Sequence, residues 1–101
     1  MMKDFVDLTG ASGASYRFRR AAVGEPRQPI AGNYAVVKTR PRGFTVRFVG
    51  STNDLSQARA ECPPEVLKGT HLYVRLNVPR APREAELADL AANYGLGREG
   101  S

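Results

Sequence analysis

Gly32 to Ala60 reads GNYAVVKTRPRGFTVRFVGSTNDLSQARA, and the pattern of this stretch sets the fold. Asn33 to Lys38 is apolar enough for a central strand. Thr39-Arg40-Pro41-Arg42-Gly43 has the composition of a turn. Beyond it, Phe44, Val46 and Phe48 fall on one face of a strand and Thr45, Arg47 and Val49 on the other. Two such strands around a short turn predict an antiparallel hairpin. Gly50 is expected to break the second strand. Ser51, Thr52, Asn53 and Asp54 are all residue types that cap helix N-termini, so a helix is predicted through Ala60 or Glu61.

The flanks extend the same logic. Upstream, Ser15 to Ala22 reads SYRFRRAA, with Tyr16 and Phe18 on one side and Arg17 and Arg19 on the other, a half-buried strand. Phe5, Val6 and Leu8 form a short apolar edge segment that leads into a Gly-rich loop. Gly24 to Pro29, with two prolines, closes the strand. Downstream, Pro63-Pro64 stops the helix and Glu65 to Lys68 supplies one further helical turn. In Thr70 to Val78, Leu72, Val74, Leu76 and Val78 alternate with His71, Tyr73, Arg75 and Asn77. A last helix is predicted from Arg83 to Tyr94, with Leu87, Leu90, Ala91 and Tyr94 on one apolar stripe. Gly95 ends it as a left-handed cap, and residues 96–101 are expected to be a mobile tail. The element order β-β-β-α-β-α implies an α+β fold, a small antiparallel sheet of three to four strands packed with two main helices. Residues 1–101 make a single domain, with its core at about 15–94.

Composition narrows the function. The 101 residues are 42% hydrophobic and carry a formal net charge of +5; of the 15 basic residues all but three are Arg. Arg pairs bidentately with phosphate, so nucleic-acid binding is permitted, although the same excess also serves solubility. The N-terminal MMKDFVDLTG lacks the apolar run of a signal peptide, and no stretch reaches the roughly 20 apolar residues of a membrane span. These features point to a soluble, cytoplasmic protein without a membrane partner. Cys62 is the sole cysteine, so no intrachain disulfide forms. With one histidine, His71, it cannot complete a zinc site of four protein ligands. Cys62 beside Pro63 reads as a small buried hydrophobe.

Gly32-Asn33-Tyr34, followed after the hairpin by Phe48-Val49-Gly50-Ser51-Thr52-Asn53-Asp54-Leu55, resembles the GIY-YIG nuclease-like domains. GNY stands where that family has GIY and FVG where it has YIG, and the likeness covers roughly Ser15 to Tyr94. The resemblance implies phosphodiester cleavage with one divalent metal, using a tyrosine, a helical arginine and a glutamate from a later helix. The first tyrosine is present as Tyr34. Phe48 replaces the second and has no proton to give or take. Ala58 occupies the arginine position and Arg59 lies one residue on, about 100° round the helix. Leu87 stands at the expected glutamate position, with Glu86 adjacent and Glu84 a turn earlier.

Three of the four positions are therefore changed or displaced, and the implied scaffold has lost its catalytic set. No cofactor is expected; magnesium or manganese enters only if Tyr34, Arg59 and Glu86 form an active endonuclease. What remains is a surface: Arg17 and Arg19 on one strand, Arg47 and Arg75 on two others, Arg40 and Arg42 in the hairpin turn. If these faces are coplanar and uncovered, they form a basic patch for DNA; if helices cover both sides, the patch breaks up. Three readings stay open: a catalytically impaired domain that binds nucleic acid, a protein-interaction or regulatory module on the same fold, and an active metal-dependent endonuclease.

Overall fold

The computed structural model describes residues 3–21 and 29–95. The elements are β1 (Phe5–Thr9), β2 (Ser15–Arg20), β3 (Gly32–Arg40), β4 (Gly43–Thr52), a 3-10 turn (Leu55–Gln57) running into α1 (Ala58–Glu61), α2 (Pro64–Leu67), β5 (His71–Leu76) and α3 (Arg80–Tyr94). The strands form one five-stranded sheet in the order β1-β2-β5-β3-β4, and every neighbouring pair is antiparallel. The fold is α+β, with five strands where three to four were expected. The fifth is β1, whose Val6 and Leu8 are buried while Phe5, Asp7 and Thr9 face out. The predicted end of the second strand at Ala22, most of the Gly24 to Pro29 segment and the 96–101 tail lie outside the described residues.

Helices cover both faces of the sheet. On one face, Leu90 of α3 with Leu87, Ala91 and Tyr94 packs over Val6, Leu8, Phe18, Ala35, Val37, Val49 and Tyr73. Each fully buried side chain of this size contributes about 1.5–3 kcal/mol. On the other face, Ala58 and Cys62 of the α1 turn pack with Leu55 on Tyr34, Val36 and Leu72. The central strand β5 is thus sandwiched. Tyr73, which alternation groups with the polar His71, Arg75 and Asn77, is fully buried, while Leu76 at the strand's end and Val78 just past it are exposed. Alternation assigns two faces but not which of them is polar, and a strand with helices on both sides has two apolar faces.

Gly50 does not break β4. It lies in the ladder opposite Tyr34, and a Cβ there would collide with the Tyr34 ring. The residue is glycine because a ring needs the space. At Gly32 an added Cβ would strike the backbone carbonyl of Arg75, which cannot swing aside. The ladder slips once: Val36 faces Phe48 while Val37 faces Val46, so Arg47 is the extra residue of a β-bulge.

The helix starts also differ from expectation. Of the four cap-type residues at 51–54, Asp54 is the one that caps, accepting from the Ser56 N–H at 2.9 Å. Helix α3 begins at Arg80, three residues early, with Pro82 inside its first turn; proline is tolerated there because that N–H has no intrahelical partner to lose. Gly95 ends α3 in the left-handed conformation at φ 67°, as predicted.

Candidate nucleic-acid interface

Two regions bear on function. The first is a cavity of about 270 Å³ beside the outer strand, lined by Tyr34, Phe48, Gly50, Ser51, Glu61 and Leu87 among others. Tyr34, Phe48 and Leu87, separated widely in sequence, meet here. Tyr34 and Phe48 stack with ring centroids 6.2 Å apart at 25°, and Tyr34 is 4% exposed. Ala58 is fully buried beneath the same layer. Arg59, the next residue, is half-buried and does not line the cavity. Glu86 does not line it either: its Oε1 accepts from Arg75 Nε at 2.9 Å on the α3 face.

The carboxylate that does reach the cavity is Glu61, which sequence reasoning passed over. Its Oε2 accepts from Thr52 Oγ1 at 2.7 Å. Among the described residues no arginine or lysine lines the cavity, so a phosphodiester entering it would meet Glu61 with none of their cations to neutralise its charge. Among the described residues, no three of His, Cys, Asp and Glu come together as a metal-holding group. The residues present do not fit a divalent-metal site with phosphate beside it.

A second missed feature is Arg83, 5% exposed. Its Nη1 donates to the carbonyls of Val78 at 2.7 Å and Asn77 at 3.2 Å, and its Nη2 to Asn53 Oδ1 at 3.1 Å. Asn33, 1% exposed, donates through Nδ2 to the Arg83 carbonyl at 3.0 Å and accepts from Asn77 Nδ2 at 2.9 Å. This network ties the start of α3 to β3 and to the turn after β4. The signal was available: Arg83 lies four residues before Leu87 and seven before Leu90, on the apolar stripe itself.

The second region is the arginine surface, which divides. Register puts Arg17 and Arg19 on the face of Phe5, Asp7 and Val74, and Arg20, Tyr73 and Arg75 on the α3 face. Arg17 Nε pairs with Asp7 Oδ1 at 3.0 Å and lies over the Phe5 ring. That ion pair holds the Asp7 carboxyl below its ordinary value. Arg75 pairs with Glu86 and lies over the Tyr16 ring, 5.5 Å from its centroid. Arg20 pairs with Asp4 at 3.4 Å and Arg80 with Glu84 at 2.8 Å. Arg19 Nη1 donates to the Arg20 carbonyl at 3.5 Å. The patch foreseen across Arg17, Arg19, Arg47 and Arg75 is therefore not continuous, because Arg75 lies on the face opposite Arg17 and Arg19 and both Arg17 and Arg75 are paired with carboxylates.

The hairpin end differs. Arg40, Arg42 and Arg47 are exposed and Lys38 is half-buried. Arg40 Nε donates to Thr45 Oγ1 at 2.7 Å across the ladder, which holds its guanidinium along the strand. The turn after α2 borders this group, with the Lys38 ammonium beside Gly69 and Lys68 next in sequence. Among the described residues, no carboxylate pairs with Lys38, Arg40, Arg42, Arg47 or Lys68.

Cys62 is buried, and its Sγ donates to the Ala58 carbonyl at 3.3 Å. Burial pushes the thiol up to about 11, in keeping with a packing role. Compared with protein-family models, with curated proteins and with solved structures, the chain matches none.

Proposed function

We propose that this chain is a nucleic-acid-binding domain, built on a GIY-YIG-like scaffold that lacks the catalytic set, and that it binds DNA through the β3–β4 hairpin end. The observation that carries the reading is the sorting of charge. Arg17, Arg20, Arg75 and Arg80 have carboxylate partners, whereas among the described residues Lys38, Arg40, Arg42, Arg47 and Lys68, at the hairpin end, have none. Unpaired cations on one surface displace the counterions condensed on a polyanion, which is the main source of sequence-independent binding. The meeting of Tyr34, Phe48 and Leu87 in one cavity supports the scaffold reading. The replaced side chains there support loss of cleavage. No helix among the described residues is long and apolar enough to cross a membrane, and we place the protein in the cytoplasm.

A protein-interaction role is the second reading. It draws on Phe5 and Leu76, which project from the face of β1 and β5 opposite α3 and are 48% and 62% exposed. Fluorescence anisotropy with a short labelled duplex and its single strand separates the two. The nucleic-acid reading expects binding that weakens steeply between low and moderate salt. Absence of binding to either probe at low salt overturns it and leaves the protein-interaction reading. Plasmid incubated with magnesium or manganese is expected to stay intact; nicking that disappears in Tyr34→Phe would restore the endonuclease.

A further inference from the structure

The hairpin reaches past the sheet that supports it. Strand β5 pairs with β3 only as far as Val37 opposite His71. The β3–β4 ladder continues through Lys38–Thr45, Thr39–Phe44 and Arg40–Gly43. Three more residues per strand, at about 3.3 Å each, carry a two-stranded ribbon roughly 10 Å beyond its neighbour. Its end is tight. Pro41 fixes the first turn position, and Gly43 takes φ 104°, a conformation side chains rarely adopt.

The ribbon carries charge and little else to bind with. Thr39, Arg40, Pro41 and Arg42 are exposed. Phe44 packs inward on the core and Phe48 stacks on Tyr34. Among the described residues the exposed large apolar side chains lie elsewhere, Phe5 on β1, Leu76 at the end of β5 and Val78 just beyond it. A single strand bound without sequence preference needs aromatic platforms on which bases stack, and the ribbon offers none. A duplex needs fixed phosphates and a groove, and the B-form major groove, about 12 Å wide, admits a two-stranded β-ribbon. The A-form major groove of RNA is too narrow and deep for side chains to read.

We infer that the Lys38–Thr45 ribbon is inserted into the major groove of B-form duplex DNA. Arg40 and Arg42 at its tip and Arg47 at the bulge reach phosphates on the two groove walls, and Lys38 and Lys68 meet the backbone at its base. The inference rests on the nucleic-acid reading above and adds the form of the ligand and the element that enters it.

The test titrates the full chain against a DNA duplex, its single strand and an RNA duplex of the same length at one salt concentration. It is repeated with Arg42→Ala, Arg47→Ala and Arg17→Ala, each verified as folded by circular dichroism. The DNA duplex is expected to bind at least about tenfold more tightly than the other two. Arg42→Ala and Arg47→Ala are each expected to weaken it about three- to tenfold, with Arg17→Ala close to wild type. A single strand or RNA duplex bound as tightly as the DNA duplex overturns groove insertion while leaving nucleic-acid binding intact. So does a weakening by Arg17→Ala equal to that of Arg42→Ala. No binding to any of the three overturns the parent reading together with this one.

Discussion

The two ends of this sheet use arginine in opposite ways. At the β1–β2 and α3 end, cations are consumed by structure: Arg17 by Asp7, Arg20 by Asp4, Arg75 by Glu86. At the β3–β4 hairpin end, Lys38, Arg40, Arg42, Arg47 and Lys68 have no carboxylate partner among the described residues. A net charge of +5 says nothing about where the excess lies. Pairing locates it, and only the unpaired cations remain available to a polyanion.

The contrast breaks hardest at the glycines that hold the hairpin to the rest of the sheet. Gly32→Ala drives a methyl against the Arg75 carbonyl, and a backbone atom in a central strand cannot yield. A loss of roughly 3 kcal/mol is expected in urea unfolding. Gly50→Ala meets the Tyr34 ring instead, which can tilt toward the cavity, so about 1–3 kcal/mol is expected. A neutral outcome at both positions would mean that neither glycine is set by packing.

Next come the arginines themselves. Arg75→Ala strands Glu86, whose side chain is 17% exposed, and about 1–3 kcal/mol of stability should go with it. Arg42→Ala touches no partner and should stay within about 0.5 kcal/mol. The order in DNA binding should be the reverse. If both variants lost stability equally, the two ends would not differ in the way argued.

A pH effect sharpens the structural end further. Asp89 accepts from the Ser12 Oγ at 2.7 Å, the Ser12 N–H at 2.9 Å and the Tyr16 hydroxyl at 2.8 Å. These bonds, Ser12's first, hold its carboxyl below the ordinary 3.8. A lowered folded value means that stability is present above 3.8 and is lost as pH falls through the folded value. Acid titration of thermal stability should therefore steepen below about pH 4, and Asp89→Asn should flatten part of that slope. Asp7, lowered by Arg17, contributes in the same sense. The smallest effect is chemical: with its thiol pushed up to about 11, native Cys62 should react with iodoacetamide far more slowly than in denaturant at pH 8.

Much of the fold was legible because it rests on local rules. The alternation at Ser15–Arg20 and Phe44–Val49, the cap residues before Leu55 and the stripe on α3 each follow from one segment's own pattern. What escaped depends on two segments at once. Gly50 reads as a breaker until Tyr34 is placed opposite it. Tyr73 reads as polar-facing until β5 is known to lie between two helical layers. Glu61 gained its place beside the Tyr34 cavity only when α1 folded over β4. Of the arginines, Arg40 and Arg42 were placed at the hairpin turn and Arg47 on the second strand, where they lie, but alternation could not show that Arg75 lies on the face opposite Arg17 and Arg19. Pairing partners such as Asp7 and Glu86 are a matter of register and packing, which a single strand's pattern does not contain.

The central claim is that the unpaired hairpin cations make the nucleic-acid surface. The slope of log affinity against log salt for duplex DNA tests it directly. Wild type should be compared with Arg40→Gln/Arg42→Gln and with Arg17→Gln/Arg19→Gln, two variants of equal net charge. The hairpin variant should flatten the slope by about 2, one for each phosphate no longer neutralised, and the β2 variant should leave it near wild type. Equal flattening in both would mean that overall charge, and not the hairpin, attracts the DNA, and would contradict the account.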